Sequence, residues 1–115
     1  MIKGIGTDIV EISRIQPDLA KRILSESELI TYESFSSMHR KAEFLAGRFA
    51  IKEAISKALS HISFELSMNE IEIRNDEYGK PYLVCEKLKN YKFSLSISHE
   101  RAYAVGFCII EEPNL

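Results

Sequence analysis

The sequence predicts an α+β domain in which one long helix and shorter helices pack on an antiparallel sheet. A wide apolar face at helical spacing runs from about residue 39 to residue 59 without a proline. Short segments that alternate apolar and polar residues follow it, as expected for half-buried strands. With 115 residues and no linker, repeat or change of composition, we expect a single domain over residues 1–115.

The N-terminal half is predicted as a strand followed by helices. Residues 2–10 are rich in β-branched side chains and contain two glycines, which favours a strand over a helix. Residues 14–24 have apolar side chains near helical spacing, and Pro17 confines a short helix or turn to starting around it. Ser25 and Glu28 have the spacing of a capping box, in which each side chain satisfies the other residue's backbone N–H. A second short helix therefore begins there, ahead of the long one.

The C-terminal half is predicted as two antiparallel pairs of strands. Residues 70–74 and 81–85 flank the turn-forming residues 75–80, which indicates a hairpin. Residues 92–98 alternate strictly, and residues 102–110 return beside them after a short turn. The last five residues are expected to fray.

The composition excludes several classes of protein. Fifteen basic and seventeen acidic residues give a net charge of −2, which argues against a nucleic-acid-binding protein or a polybasic membrane anchor. Cys85 and Cys108 lie in apolar segments without metal-ligand spacing, so reduced thiols are expected. The chain has no secretory leader and no apolar segment of membrane-spanning length, which predicts a cytoplasmic protein without a membrane partner.

Asp8 is the first candidate functional residue, because it lies inside an apolar strand. A buried charge costs on the order of several kcal/mol unless a cation or hydrogen bonds compensate it. The alternative is a position at the strand end, where backbone N–H groups or solvent satisfy the carboxylate. Glu11 is close enough along the chain to be the important acid instead.

On the long helix, Glu53 and Lys57 share one stripe and Lys52 flanks it. The simplest interpretation is an exposed ion pair that contributes about 0.3 to 0.5 kcal/mol. The functional interpretation requires Asp8 to lie against this helix. Two carboxylates completed by phosphate oxygens and water suit Mg²⁺, and a neighbouring lysine would neutralise or protonate a phosphate leaving group.

Three further features have both an ordinary and a functional interpretation. Arg48 stands one turn before Lys52, and both offer positive charge to a phosphorylated nucleotide, although solvated basic residues give the same pattern. The segment Gly79-Lys80-Pro81 is typical of a hairpin turn. His99 continues the apolar face of its strand and then meets a turn, where a lone histidine is more often structural than catalytic.

The segments GIGTDIVEI, FLAGRFAIKEAISKAL, IEIRNDEYGKPYLV and SLSISH follow one another over nearly the whole chain. In this order they resemble the holo-acyl-carrier-protein synthases, the small bacterial 4'-phosphopantetheinyl transferases. The resemblance implies transfer of the 4'-phosphopantetheine arm of coenzyme A to a serine of apo-acyl carrier protein, with release of adenosine 3',5'-bisphosphate, for fatty acid biosynthesis. It also implies Mg²⁺ as cofactor and a homotrimer with sites between neighbouring subunits.

The resemblance also implies roles for individual residues. Asp8 and Glu53 would bind Mg²⁺, and Glu53, or a water that it orients, would take the serine proton. Lys57 and His99 would join Glu53 as catalytic residues. The residues implied for the coenzyme A site are Arg48, Lys57, Gly79, Lys80, Pro81 and His99, and we expect Lys52 to join them as the neighbouring positive charge on the long helix.

The same resemblance implies that Arg14, Lys21 and Arg22 dock the acidic carrier protein, whereas by themselves they form an ordinary solvated basic turn. The chain departs from the family pattern in two segments. Residues 14–24 are shorter than expected, and residues 60–64 replace a glycine-rich loop.

Two other classes of protein are consistent with these residues. One is a noncatalytic module with the same fold that docks an acyl carrier protein or a nucleotide. The other is an α+β oligomerisation protein whose charges are all solvated. The presence of Asp8, Glu53 and Lys57 together favours a catalyst, because a simple binding module does not need a metal site beside a leaving-group lysine.

Overall fold

The computed structural model describes residues 1–60, 62 and 65–112. The predicted α+β class is confirmed. The prediction that the last five residues fray is wrong for Glu111, which belongs to the last strand, and for Glu112, whose N–H donates to the carbonyl oxygen of Met1. Residues 113–115 lie outside the described residues, as do His61, Ser63 and Phe64 of the segment after the long helix. The strands are β1 Ile2–Glu11, β2 Glu72–Asn75, β3 Pro81–Val84, β4 Lys92–His99 and β5 Tyr103–Glu111, and the helices are α1 Ala20–Ile23, α2 Glu26–Ser34 and α3 Met38–Ala58.

Strands β1, β5 and β4 form an antiparallel sheet in that order, and β2 and β3 form the predicted hairpin. In the three-stranded sheet, Asp8 lies opposite Gly106, and Gly106 lies opposite Ile97. His99 and Val10 are likewise the two outer neighbours of Ala104. Asp8 and His99 therefore lie on the two edge strands, with β5 between them.

Helix α3 crosses this sheet from β4 at its N-terminal end to β1 at its C-terminal end. A Cβ on Gly47 would lie 3.3 Å from Ile97 on β4, and the backbone of Gly106 on β5 lies against Ala50. On β1, a Cβ on Gly6 would lie only 1.9 Å from the carbonyl oxygen of Ala54. Glycine thus allows β1 to approach the helix backbone closely, which brings Asp8 next to α3.

The local signals at the helix ends are confirmed. The Glu28 backbone N–H donates to Ser25 Oγ at 3.3 Å, and the Ser25 N–H donates to Glu28 Oε1 at 2.7 Å, which completes the predicted capping box. Ser37 caps α3 by accepting from the Arg40 N–H. Ser25 thus fixes where α2 begins after α1, and Ser37 fixes where α3 begins after α2.

Both cysteines are free thiols, as predicted. Cys108 is buried beneath α3, and this burial raises the pKa of its thiol to about 12. The thiol therefore stays protonated at neutral pH and behaves as a small apolar core residue.

The face of the sheet opposite α3 is apolar and uncovered. Its exposed side chains include Ile5 and Ile9 of β1 and Tyr103 and Phe107 of β5. An exposed apolar patch of this kind usually marks a surface that meets another protein. Within residues 1–60, 62 and 65–112, none of the helices combines the length and apolar character that a membrane span requires.

Candidate active site

Asp8 and Lys57 form an ion pair between β1 and α3. Lys57 Nζ lies 2.9 Å from Asp8 Oδ1 and donates to the carbonyl oxygen of Thr7 at 3.1 Å. The Asp8 side chain is 17% exposed, whereas that of Lys57 is 54% exposed. Helix α3 therefore supplies the cation that the half-buried Asp8 carboxylate requires. Asp8 also lies against this helix, as the functional interpretation requires.

Glu53 lies one helical turn before Lys57 and is half-buried. Its carboxylate makes no hydrogen bond or ion pair with any residue that the structure describes. The simple ion pair between Glu53 and Lys57 that the helical spacing allowed is not formed, because Lys57 is directed to Asp8 instead. The Glu53 carboxylate remains available to bind a ligand or to accept a proton.

The site where β1 meets α3 consists of two acids and the lysine that contacts one of them: Asp8, Glu53 and Lys57, hereafter the carboxylate group. The donor chemistry of its two acids fits Mg²⁺. Both carboxylates offer the hard oxygen ligands that this ion prefers, and it commonly takes only one or two of them and completes its shell with substrate phosphates and water. The described part of the chain contains no cluster of three or more His, Cys, Asp or Glu side chains that could hold a metal ion by itself. A cation here would therefore depend on oxygens from a bound ligand.

At the other end of α3, a cleft of about 270 Å³ opens between the helix, the β2–β3 hairpin and the end of β4. Four of the predicted nucleotide-site residues line it: Arg48, Gly79, Pro81 and His99. Lys80, between two of them, is exposed, and Gly79 has a φ of 81°, which few other residues adopt without strain. The segment Gly79-Lys80-Pro81 therefore belongs to the hairpin and also lies at the cleft, so its two interpretations are compatible.

Two aromatic rings and two guanidinium groups form a column along one wall of the cleft. The rings of Phe35 and Phe44 are 5.6 Å apart, Arg40 stacks on Phe35 at 4.9 Å, and Arg48 stacks on Phe44 at 4.6 Å. Such stacking holds a guanidinium by its face and leaves its N–H edge for an anion. The sequence interpretation missed Arg40, Phe35 and Phe44. Arg40 and Phe44 are one helical turn apart on α3, whereas only the turn between α2 and α3 brings Phe35 to them.

Arg48 is 8% exposed and is fixed at several atoms. Its Nη2 donates to Asn75 Oδ1 at 2.6 Å, and its Nε lies 3.5 Å from Glu28 Oε2 but makes no hydrogen bond within the described structure. Burial lowers the pKa of the Arg48 guanidinium, while the charge of Glu28 opposes this shift. Because the unperturbed value is very high, Arg48 keeps its positive charge at the wall of the cleft.

Lys52 does not face a ligand, and its predicted place in the nucleotide site is wrong. The side chain is fully buried, and Nζ donates to Glu28 and to the carbonyl oxygens of Ile23 and Met68. Burial lowers the pKa of Lys52, and the neighbouring Glu28 carboxylate opposes that shift. All three N–H donors are used inside the protein, so Lys52 connects α3 to α1, α2 and the segment before β2.

His99 is 45% exposed and lies at the end of β4, with its Nδ1 3.1 Å from Glu43 Oε2.

Arg14, Lys21 and Arg22 are exposed around α1, and none of the three forms an ion pair with a described residue. Their exposure is consistent both with binding to a partner protein and with simple contact with solvent.

The predicted site residues separate into two groups. The carboxylate group lies where α3 meets β1, whereas Arg48, Gly79, Pro81 and His99, hereafter the cleft group, lie near the start of α3. His99 contacts Glu43, and roughly 20 Å of helix separates Glu43 from Lys57, given the helical rise per residue. Because α3 packs directly on β5 between the edge strands, His99 and Asp8 approach different parts of the helix.

Comparisons with known proteins agree with this architecture. The family model of the 4'-phosphopantetheinyl transferase superfamily matches residues 4–108. The chain is 49% identical to the holo-[acyl-carrier-protein] synthase of Bacillus subtilis, over 96% of this chain and 97% of that protein. It is 46% identical to the enzyme of the same name from Staphylococcus carnosus, with 97% and 99% covered.

Solved structures show the same similarity. A holo-(acyl-carrier-protein) synthase from Bacillus anthracis, in complex with CoA (3',5'-ADP), superposes with a TM-score of 0.88 at 43% identity and covers 98% of this chain and 99% of that one. The holo-[acyl-carrier-protein] synthase from Neisseria meningitidis superposes with a TM-score of 0.82 at 32% identity, with 97% and 100% covered. The chain therefore belongs to the 4'-phosphopantetheinyl transferase superfamily and is a transferase of the holo-[acyl-carrier-protein] synthase type.

Proposed function

We propose that this protein transfers the 4'-phosphopantetheine group of coenzyme A to a serine of apo-acyl carrier protein, with Mg²⁺ bound, for fatty acid biosynthesis. The observation that carries the proposal is the contact of Asp8 with Lys57, one helical turn from Glu53, whose carboxylate has no partner among the residues that the structure describes. The names of the relatives support the same reaction. The Bacillus anthracis neighbour, which contains CoA (3',5'-ADP), supports coenzyme A as the substrate.

Asp8 and Glu53 would hold the Mg²⁺ ion, which when bound supplies positive charge to the phosphate oxygens. Lys57 already reaches between the strand and the helix, and its ammonium would donate to the phosphate that leaves. Glu53, directly or through a water that it orients, would take the proton of the attacking serine.

In the transfer step the serine Oγ forms a bond to the β-phosphorus, which carries the pantetheine arm. The bond from this phosphorus to the bridging oxygen breaks, and its electrons stay with the 5'-phosphate of adenosine 3',5'-bisphosphate. The serine proton passes to Glu53, so that the charge is balanced. The protein contributes position and electrostatic stabilisation, as in other phosphoryl transfers.

The cleft group would bind the nucleotide end of coenzyme A. Arg48 and the exposed Lys80 supply positive charge, and Gly79 and Pro81 shape the wall opposite α3. A phosphorylated nucleotide suits a cleft in which guanidinium edges and aromatic faces alternate.

We also propose that the active protein is a homotrimer whose sites lie between neighbouring subunits. The exposed apolar face of β1 and β5 supports a contact between copies, because it is otherwise left in water. The separation of the carboxylate group from the cleft group supports sites to which two subunits contribute.

Ile9→Asp is expected to reduce the trimer to monomers, because it places a charge on the apolar sheet face. Light scattering after size-exclusion chromatography measures the mass. Ile30→Asp is the matched control, since Ile30 is an equally exposed isoleucine on α2, away from the sheet. An unchanged mass for Ile9→Asp, or a monomeric wild type, contradicts the proposed assembly.

Arg14, Lys21 and Arg22 would dock the acidic surface of the acyl carrier protein. Reversing two of these charges, in the variant R14E/K21E, is expected to raise the KM for the carrier about tenfold or more while kcat changes little, because rim charges mainly affect encounter. Steady-state kinetics with varied carrier checks this. The control K89E changes an exposed lysine of the segment before β4, and an equal effect in both variants would refute a local patch.

The reaction itself is tested by incubating apo-acyl carrier protein with this protein, coenzyme A and Mg²⁺, beside a sample that contains EDTA. Intact-mass spectrometry is expected to show one added phosphopantetheine only where the metal is free. Failure with several carriers would reject catalysis and favour the noncatalytic binding module.

A further inference from the structure

Glu43 on α3 contacts two histidines through one oxygen atom. Its Oε2 lies 3.1 Å from Nδ1 of His99, at the end of β4, and 3.2 Å from Nε2 of His39, one turn earlier on the same helix. Only 15% of the Glu43 side chain is exposed, whereas His39 is 63% exposed. Glu43 and His99 both line the cleft, and His39 does not.

This contact determines which nitrogen of His99 is available to a ligand. An ionised carboxylate can only accept hydrogen bonds, so the proton in the contact belongs to Nδ1 of the ring. The other nitrogen, Nε2, is left for the cleft that the same side chain lines. Carboxylates that engage one nitrogen of an imidazole commonly fix the orientation of the ring in this way.

A carboxylate is otherwise an unexpected neighbour for a bound phosphate. Arg40 and Arg48 line the same cleft and attract anions, while Glu43 repels them. Glu43 therefore favours an anionic ligand only if it acts through a cation or a donor that it holds in place. His99 meets this requirement, because it contacts Glu43 and lines the same cleft.

We propose that Glu43 is a positioning residue that orients His99 so that Nε2 donates to a phosphate oxygen of the bound nucleotide. The ring then lies between two anions, and it donates from Nδ1 to Glu43 and from Nε2 to the phosphate. This inference rests on the proposed function, because it takes a phosphorylated nucleotide as the ligand of the cleft. His39 shares the carboxylate but has no part in binding.

Glu43→Ala tests this inference by a change whose sign distinguishes the two roles of the carboxylate. If Glu43 orients His99, its removal weakens the binding of adenosine 3',5'-bisphosphate, by about tenfold for a lost charge-assisted hydrogen bond. If Glu43 merely repels the ligand, its removal tightens binding. Isothermal titration calorimetry measures the dissociation constant directly, without the carrier protein or turnover.

Four further variants complete the experiment. Glu43→Gln should recover part of the lost affinity, because an amide oxygen still accepts from Nδ1. The double variant E43A/H99A should bind no more weakly than H99A alone, since the two residues act as one unit. His39→Ala, which contacts the same Glu43 oxygen, should change the affinity less than twofold.

Tighter or unchanged binding in Glu43→Ala, or additive losses in E43A/H99A, would overturn the positioning role. Thermal unfolding of each variant identifies any loss that comes from the fold, and Glu43→Gln, which preserves the shape of the side chain, then decides the outcome. Failure of the wild-type protein to bind adenosine 3',5'-bisphosphate would instead reject the proposed nucleotide site, and with it the ligand assigned here.

Discussion

Glu53→Gln is expected to lower kcat/KM for transfer to the carrier protein by about 10³-fold. The substitution keeps the size of the side chain but removes the negative charge and most of its basicity. Loss of a general base alone costs about 10² to 10⁴ in rate, and loss of a metal-binding oxygen acts in the same direction. The measurement is the initial rate of carrier modification at saturating Mg²⁺.

The fold should not change in Glu53→Gln, because the Glu53 carboxylate has no partner among the described residues. Its thermal unfolding temperature is therefore expected to equal that of the wild type. Glu33→Gln is the matched control, an exposed glutamate on α2 where the same chemical change should leave the rate unaltered. Full activity in Glu53→Gln would refute both roles assigned to this residue.

Much of the fold was readable from local patterns. The capping box of Ser25 and Glu28, the alternation along β4 and the apolar face of α3 each depend on residues within a few positions of one another. Their physical causes are equally local: a cap satisfies nearby N–H groups, and a periodic pattern matches one face of one element.

The failures arose where contacts connect distant parts of the chain. Lys52 and Glu53 are adjacent on a helix, and no pattern in the sequence indicates that one side chain is buried beneath α2 while the other is half-exposed. The partner of Lys52 is Glu28, which the sequence identifies only as a capping residue, although its carboxylate also meets Arg48. A glutamate with two functions at one position cannot be recognised from the cap alone.

The cleft shows the same limit. The spacing of His39 and Glu43 indicates a possible contact along the helix, but that with His99 depends on how β4 packs against α3. The pairing of Asp8 with Lys57 was predictable only as a condition, namely that β1 lies against α3. Gly6 allows that approach, because it has no Cβ to meet the backbone of α3. The sequence pattern alone indicates only that this glycine disfavours a helix.

Gly6→Ala is expected to destabilise the protein by about 3 kcal/mol or more, beyond the usual cost of overpacking. The added Cβ would lie 1.9 Å from the Ala54 carbonyl oxygen and 2.8 Å from the Ala58 nitrogen, both backbone atoms of α3. Backbone atoms cannot rotate away as a side chain can, so β1 must move as a whole. Since Asp8 lies two residues further along β1, its contact with Lys57 should be lost with the packing.

Gly47→Ala is the matched control, because its Cβ would approach the flexible side chain of Ile97, at 3.3 Å, rather than backbone atoms of a neighbouring element. Alanine is also favoured over glycine within a helix by about 1 kcal/mol, so this variant should be neutral or slightly stabilised. Urea unfolding at one fixed protein concentration measures the free energy of unfolding for both variants, which removes any effect of subunit association. Equal stability of Gly6→Ala and the wild type would mean that β1 and α3 do not approach so closely, and the carboxylate group would then lose the framework that brings it together.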